Sequence, residues 1–139
     1  MKIAIDLDVL GDTRQLWCDW LQDASSVVDV SGLPEDRVAA AAELDARGAG
    51  NWRTLLERFA DDRAAVYLRP AADVSATLRT LQADGARIVA FTDAPVELAR
   101  VALRQLGAAR RVEAIETAIP EADVVVRSRE ELLRLRRSA

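Results

Sequence analysis

The sequence predicts an α/β fold built on a parallel sheet, and three observations carry that expectation. Short apolar runs, each closing on polar residues, alternate with stretches of helical period. The runs Lys2-Ile3-Ala4-Ile5-Asp6-Leu7, Arg87-Ile88-Val89-Ala90-Phe91 and Val124-Val125-Val126 are too short for helices and rich in β-branched residues. Residues 13–62 hold no strand pattern, so a helical block interrupts the alternation after the first strand. Right-handed crossovers would place helices on both faces of the sheet, a three-layer sandwich.

Each element has a local reason. Asp12 is placed to cap a helix, with Gln15 three residues on in capping-box position. That helix carries Leu16, Trp17, Trp20 and Leu21 as one stripe. Residues 31–33 form a break. Pro34 at a first helical position, followed by Glu35 and Asp36, starts a second helix that runs to Gly48-Ala49-Gly50. Asn51 caps a third, with Trp52, Leu55, Leu56 and Phe59 on one side. Pro70 precedes a helix bearing Val74, Leu78 and Leu81, which Gly85 ends. The strand 87–91 follows, then a helix begun by Pro95 and ended by Gly107. Val112-Glu113-Ala114-Ile115 reads as a weaker strand and 124–126 as a strong one. A charged helix over 129–136 closes the chain, its arginines interleaved with Glu130 and Glu131 as a solvated face. The expected boundaries are an α/β core of 1–12 and 68–139 with a helical cap of 13–67.

Composition narrows the chemistry. The 139 residues are 50% hydrophobic and 30% charged, which suits a folded domain with its own core rather than a disordered chain. The net charge of −4, with acids and arginines interspersed, argues against a nucleic-acid partner. No apolar run approaches the roughly 20 residues that span a bilayer, which argues against a membrane partner. The single cysteine, Cys18, and the absence of a signal-peptide pattern after Met1 point to a reducing cytoplasm. There is no histidine. Lys2 is the only lysine, so eighteen of the nineteen basic residues are arginine. Catalysis would therefore use carboxylates, hydroxyls, arginines, backbone amides or a bound ion.

In open parallel sheets ligands bind beyond the carboxyl ends of the strands. Two polar pairs fall there: Asp6 and Asp8 after the first strand, Thr92 and Asp93 after the second. Paired carboxylates give a hard-oxygen pocket for magnesium, and also a nucleophile beside a proton carrier. The residue-level alternatives are plainer: a solvated strand end for the two aspartates, and hydroxyl or carboxylate caps of the next helix for Thr92 and Asp93.

The run Ile3-Ala4-Ile5-Asp6-Leu7-Asp8-Val9-Leu10-Gly11-Asp12-Thr13 resembles the first motif of the haloacid dehalogenase-like (HAD) hydrolases. Ile88-Val89-Ala90-Phe91-Thr92-Asp93 resembles their second, and the helical block sits where that family inserts its C1 caps. The resemblance implies a HAD-like Rossmannoid core with a small helical cap. It implies a magnesium-dependent phosphohydrolase acting on a small phosphate monoester through an aspartyl-phosphate. Asp6 would be the nucleophile and Asp8 the acid and base. Magnesium would sit on the Asp6 carboxylate and the Asp8 carbonyl, and Thr92 would hold the transferred oxygens.

The sequence departs from the family pattern at three places. Val9-Leu10 follows Asp8 where the family carries Gly-Thr or a similar pair. The third motif's lysine has no counterpart, which leaves Arg110 or Arg111 as stand-ins that would contact the phosphate with Thr92 and Asp93. The acidic fourth motif is missing from 117–123, leaving Glu116 or Asp123 as surrogate ligands. Only eight residues separate Ile115 from Val124, too few for an ordinary helical crossover. These departures support an alternative, a catalytically degenerate HAD-like domain kept as a binding or assembly module. A phosphoacceptor receiver domain is the poorer fit, because adjacent acids after strand one and a late lysine are lacking. Trp17, Trp20 and Trp52 would pack by default, or else line a substrate pocket or dimer surface. The apolar helix faces predict a homodimer.

Overall fold

The computed structural model describes residues 1–27 and 32–138. The elements run β1 (Lys2–Asp6), α1 (Leu7–Leu10), α2 (Arg14–Val27), α3 (Arg37–Ala46), α4 (Trp52–Tyr67), α5 (Ala72–Ala83), β2 (Arg87–Phe91), α6 (Val96–Gln105), β3 (Ala114–Glu116), β4 (Val124–Val126) and α7 (Arg129–Ser138). The four strands form one parallel sheet in the order β3-β2-β1-β4. Ile3 is aligned with Ile88 and Val124, and Asp6 with Phe91, so the carboxyl ends of β1 and β2 finish level. Among the described residues no helix is long and apolar enough to cross a membrane.

Side chains alternate along a strand, so the sheet has two faces. Ile3, Ile5, Ile88, Ala90 and Val126 point to one, and the buried apolar residues of every described helix join the cluster on that side. The other face carries Ala4, Val89 and Phe91, packed with Ala114, Ala122 and Val125; no helical residue belongs to that cluster. The expected second helix layer is therefore not found among the described residues. Its place is taken by the connection 117–123. Seven extended residues reach at most about 25 Å, and three inter-strand spacings of about 4.8 Å each separate the two edge strands. A non-helical crossover suffices, and Ala122 from it covers the small face.

The helical block between β1 and α5 is continuous with this core. Trp17, Trp20, Leu44, Trp52 and Leu56 are buried in the same cluster as Ile3, Ile5 and Leu98, and α4 packs along α6. The three tryptophans pack, as spacing suggested. Trp52 Nε1 donates to Asp45 at 2.9 Å, whereas the buried indole N–H groups of Trp17 and Trp20 have no acceptor among the described residues.

Several local expectations are corrected by competing contacts. The helix expected from Pro34 starts at Arg37, because the Asp36 carboxylate accepts from the N–H groups of Val38 and Ala39 and makes Asp36 the cap. The break expected at 31–33 lies partly outside the described residues. Asp12 does accept the Arg14 N–H, yet Gln15 turns away from a capping box and donates to Asp19. Pro95 stands one residue before its helix. The third strand is Ala114–Glu116 rather than 112–115. Gly107, at φ 69°, ends α6 as expected. Gly11 serves a different purpose: a Cβ there would meet Leu106 Cδ1 at 2.7 Å, so a side chain at this position would force the buried Leu106 side chain to shift.

Candidate active site

β1 is flanked by β2 and β4, so Asp6 at its tip is central to the carboxyl edge of the sheet. The chain leaves strand geometry there and winds into α1. Asp6 Oδ1 accepts the Asp8 N–H at 3.0 Å, and buried Leu7 and Leu10 anchor the turn. This turn brings Asp8 over the strand tip instead of continuing it along the sheet. Asp6 Oδ2 has no hydrogen-bond partner among the described residues. Burial raises the Asp6 carboxyl above the ordinary aspartate value, and the neighbouring Asp8 charge pushes the same way against the Asp8 N–H and Arg37.

Asp8 is held from three sides. Its Oδ1 accepts from the Thr13 N–H at 3.0 Å and the Thr13 hydroxyl at 2.7 Å, and its Oδ2 accepts from Arg37 at 3.1 Å. Arg37 also donates from Nη1 to Thr13 Oγ1 at 2.6 Å and from Nε to Asp93 Oδ1 at 2.7 Å. One guanidinium, only 8% exposed, thus ties the first residue of α3 to the loops that follow β1 and β2. Fully buried Thr13 relays between them. Asp93 is consequently an ion-pair partner of Arg37 and not the cap of α6. The cap position of α6 is held by Pro95 with no side-chain bond, and Thr92 closes the turn before it. Its Oγ1 accepts the Ala94 N–H at 3.1 Å, which leaves the hydroxyl proton to be donated elsewhere.

Asp6, Asp8, Arg37, Thr92, Asp93 and Thr117 line one cavity of about 360 Å³. The two aspartates and the threonine singled out by the sequence are thereby brought together. Arg110 and Arg111 are not: they follow α6, line neither cavity at the tip of β1, and Arg111 donates to Gln82. Asp123 stands at the opposite, amino end of the sheet, where its carboxylate accepts the Lys2 N–H. Glu116 ends the edge strand β3, and its carbonyl accepts the Thr92 N–H, but Thr117 is the residue that reaches the cavity. Sequence reasoning missed Arg37. Among eighteen arginines nothing local distinguishes it except its place just after the Asp36 cap.

A second cavity, of about 560 Å³, adjoins the first on the β4 side of Asp6 and shares Asp6, Asp8 and Arg14 with it. Its remaining polar wall is Asp12, Arg69, Arg127, Ser128 and Arg129. Arg14 is taken up by Asp12, whose carboxyl it holds below the usual range. Arg129 does the same to Asp73.

The residues present fit a magnesium ion. Around the first cavity stand the carboxylates of Asp6, Asp8 and Asp93, with Arg37 as the cation not already bound to Asp12. A phosphate dianion would be repelled by that surplus unless a cation came with it. No group of three or more acidic or thiol side chains stands ready as a cage among the described residues. Magnesium does not require one, since it keeps several waters and is held by one or two carboxylates plus substrate phosphate. Asp6 Oδ1, which accepts only the Asp8 N–H, is a hard oxygen of that kind and leaves Oδ2 open. No protein-family model matches the sequence, and no curated protein matches it.

Proposed function

We propose that this protein is a HAD-like, magnesium-dependent phosphohydrolase acting on a small phosphate monoester, with Asp6 as the nucleophile. The observation that carries the reading is the convergence of Asp6, Asp8 and Thr92 on one negatively charged cavity at the carboxyl edge of a parallel sheet. The unpartnered Oδ2 of Asp6 attacks phosphorus in line, the phosphorus–oxygen ester bond breaks, and the alkoxide departs opposite the new acyl-phosphate bond. The Thr92 hydroxyl donates to a transferred oxygen. Asp8, taking up a solvent proton as it leaves Arg37, protonates the alkoxide and then takes a proton from the water that cleaves the acyl phosphate, returning Asp6 as a carboxylate. For this Asp8 must exchange its Arg37 contact for the leaving group, so displacement of Arg37 accompanies substrate binding. The Asp6 carboxylate and the Asp8 carbonyl would hold magnesium, which would supply the charge compensation that lets a dianion approach a carboxylate.

The second reading, a HAD-like module that binds without hydrolysing, is favoured by one observation: Arg37 and Thr13 engage both Asp8 oxygens. One experiment separates the two. Hydrolysis of an aryl phosphate is measured with magnesium and with chelator, for the natural protein and Asp6→Asn. Turnover that needs both magnesium and Asp6 supports the enzyme. No turnover over a broad phosphate panel, with ligand binding retained, supports the module.

A further inference from the structure

On the reading of Asp6 and Thr92 as a phosphate site, we infer that the ligand carries a second anionic group, carboxylate or phosphate, seated by Arg69 and Arg127 on the β4 side of Asp6. The two cavities share Asp6, Asp8 and Arg14, so a single ligand extending past Asp6 passes from one into the other. The larger of them has the volume of an ordinary small-molecule site. Its basic lining is selective in one respect. Arg14 is matched by Asp12 and Arg129 by Asp73, whereas Arg69 and Arg127 make no hydrogen bond or ion pair among the described residues.

They come from separate parts of the chain, Arg69 just after α4 and Arg127 just after β4. Each follows a buried anchor: Leu68, whose N–H closes α4 on Ala64, and Val126 in the sheet. The backbones are thus held while the guanidinium groups remain without an acid. Planar guanidinium forks suit carboxylate and phosphate oxygens, and two from different segments define a direction away from Asp6.

The test uses phosphonates, whose carbon–phosphorus bond is not hydrolysed, titrated into the full chain with magnesium by calorimetry. The probes are propylphosphonate with one anionic group, 3-phosphonopropionate with an added carboxylate, and propylene-1,3-bisphosphonate with an added phosphonate. At least one two-group ligand is expected to bind roughly 10- to 100-fold more tightly than propylphosphonate, the scale of charge-assisted hydrogen bonds, and the tighter one identifies the second group. Arg69→Gln/Arg127→Gln should erase that advantage and leave propylphosphonate binding within about twofold, since both side chains are exposed and remote from the phosphate end. Thr92→Val should weaken all three.

Equal affinities for the three probes would overturn the inference while leaving the phosphate site standing, provided Thr92→Val still weakens them. A parallel loss of all three in the double arginine variant would overturn it too, by placing both arginines at the phosphate itself. Loss in the arginine variant with no response to Thr92→Val would overturn the link to Asp6 and leave only a separate anion site. No binding by any probe would overturn this inference and the phosphate reading together.

Discussion

On the β2 side of Asp6 the charged groups are tied to one another, and on the β4 side they face an open cavity. Arg37 is buried between Asp8 and Asp93, with Thr13 beneath it. Across the strand tip, Arg14 and Arg129 form exposed pairs and Arg69 and Arg127 form none among the described residues. The same residue type therefore has two roles within one carboxyl edge. Buried and multiply bonded, an arginine is part of the architecture; exposed and unmatched, it is available to a ligand. Desolvation decides between them, because a guanidinium withdrawn from water must be surrounded by acceptors.

The largest expected effect lies at Asp6 itself, where the two sides meet. Asp6→Asn should lower phosphatase activity by at least about 10³-fold, since the amide is no nucleophile, while the thermal midpoint does not fall. Asparagine keeps the acceptor for the Asp8 N–H and removes a poorly hydrated charge. Activity surviving in that variant would dispose of the covalent route.

Next in size is Arg37→Ala. It leaves Asp8 and Thr13 without their buried partner and should cost about 2–4 kcal/mol in urea unfolding. Arg129→Gln on the open side is the matched control, and it should leave the urea midpoint essentially where it was, because both partners are exposed. Similar losses for the two would erase the distinction between the two sides.

Thr92→Val should raise KM by roughly tenfold for want of one hydrogen bond to phosphate, with little change in secondary structure by circular dichroism. An unchanged KM would reduce Thr92 to the cap of the Ala94 turn.

The smallest effect is the pH dependence. For stability the sign is opposite to that of a salt-bridged acid. The folded-state value is raised, so the Asp6 contribution is fully present below 3.8 and is lost as pH rises through the raised value. The advantage of Asp6→Asn in thermal midpoint should therefore be larger at pH 7 than at pH 3, and the reverse ordering would show that burial does not govern this carboxyl.

Much of this was legible before the fold. The strand 87–91, the Gly107 stop and the acids at the β1 tip all follow from local chemistry that neighbours in sequence determine, whereas Asn51 stands at the cap position of α4 without the side-chain bond expected of it. Proline at 34 misled because a side-chain cap at Asp36 outweighs a favourable φ at a neighbouring position. Asp123 misled because a carboxylate just before a parallel strand lies at its amino end, away from the edge where Asp6 stands. The crossover 117–123 was unreadable as structure because it has no period; only the strand order shows that it must cross one face.

From sequence alone came the alternation of elements, the exclusion of histidine and internal-lysine chemistry, and the pair of aspartates followed by a threonine on a second strand. Periodicity and caps are short-range properties, and composition belongs to the chain whether or not it is folded. The packed fold decided which of eighteen arginines is buried against Asp8 and which two stand unmatched beside Asp6. It also set β4 rather than β3 next to β1. Those outcomes depend on contacts between segments dozens of residues apart, where the energy of docking, and not any local pattern, selects the partner.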